Sequence, residues 1–278
     1  MDSRQDKRYL HIAGAFGVGG RLTKIGDIPI NLPIETVAAA HLPMVGGKSE
    51  SKGKISVRGG DIKFGGVDPK VVRQLRKIEL LSVGSAWSLA ESDAPGPDGP
   101  FVSRTFSEVK DVRVADGFSV KSCVLNMTSS QAPGERFPRV TFGKTVIAGL
   151  KLGKFSPKVT LDLETFNRLP TQAEFLAEHR KFGSALEPPF STFLTDTNGG
   201  APHQNASGYV VGSLVKKIEG LPGGMVEDNG YIINWPPFGK IILGEILIGP
   251  YVRRVTLVRL KHSDTEVASG CSGGSTWP

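Results

Sequence analysis

Apolar and polar residues alternate with a period of two along much of this chain, in short runs separated by turns rich in glycine and proline. Lys158-Val-Thr-Leu-Asp-Leu-Glu164 shows the pattern most cleanly. Val159, Leu161 and Leu163 fall on one face of an extended segment and Thr160, Asp162 and Glu164 on the other, as expected of a strand with one wet side. Comparable runs occur at 9–16, 54–58, 81–89, 101–109, 112–115, 118–125, 139–147, 209–215, 225–228 and 231–235. Asp116-Gly117 and Asn229-Gly230 are short-range hairpin signals. The most definite segment runs from Phe238 to Arg259, two β-rich runs flanking Gly249-Pro250. A two-residue type II′ turn at that dipeptide sets Glu245 opposite Arg254, Leu243 opposite Thr256 and Ile246 opposite Arg253.

Two stretches switch to helical spacing. One is predicted over 69–80, with Asp68 as cap, Pro69 as first residue and Val71, Leu75 and Ile78 as the apolar stripe. The other is predicted over 172–182, opened by a Thr171/Glu174 capping box and a Leu169/Phe175 staple and closed by Gly183. The expected fold class is therefore mainly β: an antiparallel sandwich or barrel built from hairpins, with two short helices covering an open end. Turn-dense loops fall at 92–100, 131–138 and 187–207. A single β-rich domain spanning 1–278 is expected; the alternative is a split into 1–186 and 208–278 at the long loop.

Composition agrees with many short strands. The chain of 278 residues holds 35 glycines and 19 prolines, and 39% hydrophobic residues are enough for a large core. Its net charge is +7, yet the basic residues are scattered, the densest group being Lys70, Arg73, Arg76 and Lys77. Nucleic acid is thus a less favoured partner than a second copy or another macromolecule. Two cysteines, Cys123 and Cys271, exclude a disulfide framework by count, though not a single bridge. The amino-terminal residues lack the apolar core of a secretory signal, and no apolar stretch is long enough to span a membrane. A cytoplasmic location is the default expectation.

Several fragments imitate functional motifs and lack their context. Val45-Gly-Gly-Lys-Ser49 ends like a phosphate-binding loop, but Leu42 stands where the pattern needs glycine. It reads as a polar turn. Gly14-Ala-Phe-Gly-Val-Gly-Gly20 reads as a bulge rather than a dinucleotide site. Gly270-Cys-Ser-Gly-Gly274 has the letters of a nucleophile elbow but no room for the following helix, and reads as a loose tail. Asp196-Thr-Asn-Gly-Gly200 has part of a calcium-loop spacing and reads as a turn. The five histidines show no zinc-like spacing, and no cofactor is expected.

Four residues remain as candidates for dispersed chemistry. His41 could face a cavity. Asp162 and Glu164, about 7 Å apart along a strand, fall within the range of paired carboxylates. Glu245 sits among apolar neighbours and is expected to pair with Arg254. With no intact catalytic constellation, the leading expectation is a non-catalytic structural, assembly or recognition protein acting through its β surface and long loops. An enzyme using these four residues, such as a hydrolase on a carbohydrate or small molecule, is the alternative, and nucleic-acid binding comes third.

Overall fold

The computed structural model describes residues 11–25, 28–62, 69–93, 99–115, 117–182, 210–236, 239–262 and 265–275. Its strands, in chain order, are β1 (Ile12–Ile25), β2 (Ile28–Val37), β3 (Ala40–His41), β4 (Lys48–Arg58), β5 (Glu79–Asp93), β6 (Phe101–Val114), β7 (Phe118–Gln131), β8 (Arg139–Phe142) and β9 (Val146–Ala148). They continue with β10 (Lys151–Leu152), β11 (Lys158–Leu161), β12 (Val210–Ser213), β13 (Val215–Glu219), β14 (Ile232–Trp235), β15 (Gly239–Ile248), β16 (Arg253–His262) and β17 (Thr265–Ser275). Three helices intervene: α1 (Pro69–Leu75), α2 (Leu163–Arg168) and α3 (Gln172–Phe182). None of them is long and apolar enough to cross a membrane.

The fold is mainly antiparallel β. One sheet runs β12-β15-β16-β17-β1-β2, with β14 also on β15 and β3 on β1; a second runs β10-β7-β6-β5-β4, with β8 and β9 also on β7. The two face each other as a sandwich and do not close into a barrel: β1 packs across β5 and β6, and β17 across β6 and β7. Strands before and after the 187–207 loop share the first sheet, since β1 pairs with β17. The loop itself lies outside the described residues.

The space between the sheets changes character along its length. At one end Leu80, Leu81, Val83, Val112, Val114, Phe118 and Val120 form an oily core. At the other, Ser88, Ser103, Thr105 and Ser107 of β5 and β6 are buried where those strands cross the glycine- and alanine-rich β1, and Ser129 of β7 is buried beside Ser103. Small side chains allow a close approach there, close enough for the Ser107 hydroxyl to donate to the Phe16 carbonyl at 2.9 Å.

Most expected strands form, and several are longer than the pattern suggested. The 101–109 and 112–115 runs are one strand, β6. Of the Asp116-Gly117 signal, Asp116 lies outside the described residues; Gly117, at φ +83°, lies between β6 and β7, with Val114 opposite Phe118. Asn229-Gly230 also marks a chain reversal: the Gly230 amide donates to Glu227 at 2.9 Å, and Val226 bridges to Ile233. The bulge expected at 14–20 is present as register shifts of β1 against β17. The 139–147 run breaks into the short β8 and β9.

Helix α3 forms where predicted. Glu174 accepts from the Thr171 amide and hydroxyl, both at 3.0 Å, while the Glu174 amide donates to the Thr171 hydroxyl at 3.1 Å. Leu169 and Phe175 are buried beside it. Asp68 and Gly183, the expected cap and stop, fall outside the described residues.

Four expectations need correction. Helix α1 ends at Leu75, not 80. Ile78 is 41% exposed, and the strand pairing of Glu79 with Arg58 takes over at once. The 158–164 run is a strand only to Leu161; Asp162 then caps α2, accepting from the Thr165 amide and hydroxyl. Its short carboxylate satisfies an orphan helix amide, which a strand cannot offer. The Gly270–Gly274 tail is no loose end but lies within β17, between β16 and β1.

Finally, the β15–β16 hairpin reverses at 249–252, but in another register. Glu245 faces Thr256, Leu247 faces Arg254 and Ile248 faces Arg253. Gly249 lacks the positive φ of a type II′ turn and pairs with Val252, donating to its carbonyl at 2.8 Å. Pro250 and Tyr251 are the central residues, because proline's fixed φ suits the first of the two.

Candidate functional site

The outer face of the second sheet carries the most distinctive local geometry. Along β5 the buried residues Val83 and Ala86 are separated by two exposed ones, Gly84 and Ser85. Along β6, Lys110 and Asp111 stand exposed between buried Val109 and Val112. On β7, Lys121 and Ser122 lie between buried Val120 and Cys123. Strict alternation would forbid each of these pairs. The strands keep a constant register with one another at this level. Their slips therefore align into one crease across the sheet, while on β4 the register shifts between Gly53 and Ile55 to accommodate it.

Asp111 marks the crease. Its φ of +53° places an L-residue in the left-handed region. Aspartate tolerates that region better than most residues, yet the conformation still costs about 1–2 kcal/mol. Gly84 stands opposite and leaves room for it: a Cβ at 84 would lie 3.0 Å from the Asp111 Cβ.

An open groove of about 510 Å³ follows the crease, lined by Lys54 and Ser56 of β4, Glu79, Ser82 and Gly84 of β5, and Asp111 and Arg113 of β6. Ser56, Ser82 and Arg113 form one cross-strand row. The two serine hydroxyls donate to the two oxygens of Glu79, at 3.1 and 2.9 Å, and so fix its carboxylate. Lys54, Asp111 and Arg113 are exposed and, among the described residues, make no ion pair or side-chain hydrogen bond. Two carboxylates, two cations and two hydroxyls thus share a solvent-open concavity.

Residues 9–197 and 195–249 match one family model, described as "Domain of unknown function (DUF8256)". The chain belongs to that DUF8256 family. No curated protein and no solved structure matches it.

The four sequence candidates of this DUF8256 chain do not line the groove. His41 is exposed on β3, and its amide donates to the Ser49 hydroxyl. Four strand spacings, from β3 through β1, β17 and β16 to β15, separate it from Glu245, about 19 Å. Asp162 is spent on the α2 cap and Glu164 is exposed in the first turn of that helix, so they are not a carboxylate pair on a strand face. Asp162 and Glu245 come nearest to one another through Leu214, whose carbonyl accepts from the Asp162 amide and whose amide donates to Gly244. The Glu245 carboxylate pairs with Arg259, not with Arg254.

Other groups of chemical interest are engaged in the interior. His11 is buried and its Nδ1 lies 2.9 Å from the Ser103 hydroxyl; burial lowers its pKa. The Cys123 thiol is buried, and desolvation pushes it up to about 12, far from nucleophilic use. Arg253 is buried and donates to the Leu169 and Pro170 carbonyls at 3.3 and 3.0 Å, tying the hairpin to the corner before α3. Among the described residues no group of three His, Cys, Asp or Glu is placed to hold a metal ion.

The groove residues were missed because no local motif contains them: they come from three strands. Their signal was the broken alternation at Val109-Lys110-Asp111-Val112, which reads in sequence as the end of one strand and the start of another.

Proposed function

We propose that this chain is a non-catalytic recognition module whose ligand lies in the groove across β4, β5 and β6. The observation that carries this reading is the strained Asp111 opposite Gly84, with Lys54 and Arg113 free beside it. Backbone strain persists where surrounding structure over-determines it, and it concentrates at ligand sites. Convergent uncommitted polar groups in a concavity are the default mark of a binding site. The sandwich supplies a rigid platform, and the groove is built on strands rather than on loops. The dispersal of His41, Asp162, Glu164 and Glu245 over separate elements favours recognition over a hydrolase built on them.

Filling the groove is the direct test. Ser56 is exposed on a strand, where tyrosine is favoured. Ser56→Tyr should leave the melting temperature close to wild type, since surface changes stay within about 0.5 kcal/mol. Binding to a panel of neutral and charged oligosaccharides, peptides and nucleic acids should be lost. Any ligand retained at full affinity by the plugged variant binds elsewhere and removes the reading.

A further inference from the structure

We propose that the ligand class of this groove is an acidic polysaccharide, a sugar polymer bearing carboxylate or sulfate groups; the inference rests on the recognition reading above. The groove and its rim carry opposite messages that one chemistry satisfies. Lys54 and Arg113 carry no partner among the described residues; they stand two strand spacings apart across the sheet and two residues apart along it, about 12 Å by backbone geometry. Arg58, opposite Glu79 in the β4–β5 ladder, is exposed, as are Arg73, Arg76 and Lys77, which lead from α1 into β5 at Glu79. This end of the sheet therefore attracts anions.

Inside the groove, however, sit the carboxylates of Glu79 and Asp111. A continuous phosphodiester backbone would bring phosphates against both and be repelled. Sugar hydroxyls instead donate to such carboxylates, while the sparser acidic substituents reach Lys54 and Arg113 in charge-assisted hydrogen bonds. The serines extend the fit by holding Glu79 still, so its remaining lone pairs point in fixed directions. On the same strand, Trp87 lies three residues beyond Gly84, roughly 10 Å at strand rise. It is partly exposed and packs against Phe106 at 4.7 Å between ring centroids. The Lys52 ammonium stands over the Trp87 ring, 5.8 Å from its centroid, and adds a further cation to the rim.

The experiment is isothermal titration of the full chain with four probes: a heparin oligosaccharide, a polygalacturonate oligosaccharide, neutral dextran and duplex DNA. At least one acidic glycan should bind, more weakly as salt rises. The double variant Lys54→Ala/Arg113→Ala should lower that affinity roughly tenfold or more, as expected for losing hydrogen bonds to charged groups. Both residues are exposed, so the variant should melt like wild type; Lys54→Gln/Arg113→Gln, keeping polarity without the charge, repeats the test if it does not. Dextran bound as tightly as the acidic glycans, with Lys54→Ala/Arg113→Ala unchanged, overturns the acidic class and leaves recognition standing. DNA bound more tightly than either acidic glycan, and tighter still in Glu79→Gln/Asp111→Asn, overturns it in favour of nucleic acid. Acidic-glycan binding that Ser56→Tyr does not disturb overturns both the inference and the groove.

Discussion

His11 shows how a single residue in this fold couples to solution conditions. It enters a strand beside the tight β1 seam, is 2% exposed, and faces the Ser103 hydroxyl. Burial disfavours its charged form, so its pKa in the fold lies below the ordinary 6.5. Where pH falls below 6.5 the unfolded chain takes up a proton more readily than the folded one, and stability rises with pH across that window. Above 6.5 both states are neutral and the contribution is flat. Urea midpoints should therefore fall between about pH 7 and about pH 5.5. His11→Gln, which keeps a polar group near Ser103, should show a shallower fall. An equal slope in wild type and His11→Gln would refute the assignment. Asp111 is the contrasting residue, strained and solvent-facing, with no partner for its carboxylate among the described residues.

At the scale of elements, the β15–β16 hairpin separates what a sequence can specify from what it cannot. That the chain reverses near Gly249-Pro250 was legible, because alternating β-rich runs on both sides leave no other solution. The register was not, because proline fits the first central position of the turn as well as the second, and sliding the pairing by two residues keeps every side chain on its face. The observed pairing moves the Glu245 partner to Arg259, with both side chains largely buried at 19% and 24% exposure. A double-mutant cycle on Glu245→Gln and Arg259→Gln should give a coupling of roughly 0.5–3 kcal/mol, as for contacting residues. The same cycle with Arg254→Gln should give nearly zero. The reverse ranking would restore the type II′ register. Helix α3 was legible through its capping box, a local signal. Helix α2 was hidden because Asp162 serves equally well as the polar face of an alternating strand and as an N-cap, and only the tertiary context chooses. The groove was the least legible element, since it arises from slips aligned across three strands.

At the scale of the molecule, the crease divides the sandwich into two differently packed halves. On one side β5 and β6 rest on large aliphatic residues; on the other their serines and alanines approach the glycine- and alanine-rich β1. One sheet cannot meet both spacings while flat, and the aligned slips at Gly84, Asp111 and Lys121 provide the bend that also opens the groove. The tight half should then be intolerant of a single added carbon. Gly17 is its clearest point: a Cβ there would stand 2.7 Å from the Ala86 Cβ and 2.9 Å from the Val37 carbonyl oxygen. Its backbone lies outside the left-handed region, so the effect of alanine is one of space alone. Gly17→Ala should destabilise by about 1–3 kcal/mol, the usual cost of overpacking. Gly223→Ala, where nothing lies within 4 Å, should change stability by less than about 0.5 kcal/mol. Adding Ala86→Gly to Gly17→Ala should recover part of the loss, because the added methyl then faces a gap, while the Val37 carbonyl still resists it. If Gly17→Ala unfolds at the wild-type urea concentration, the sheets are not held at the separation that the crease exists to reconcile.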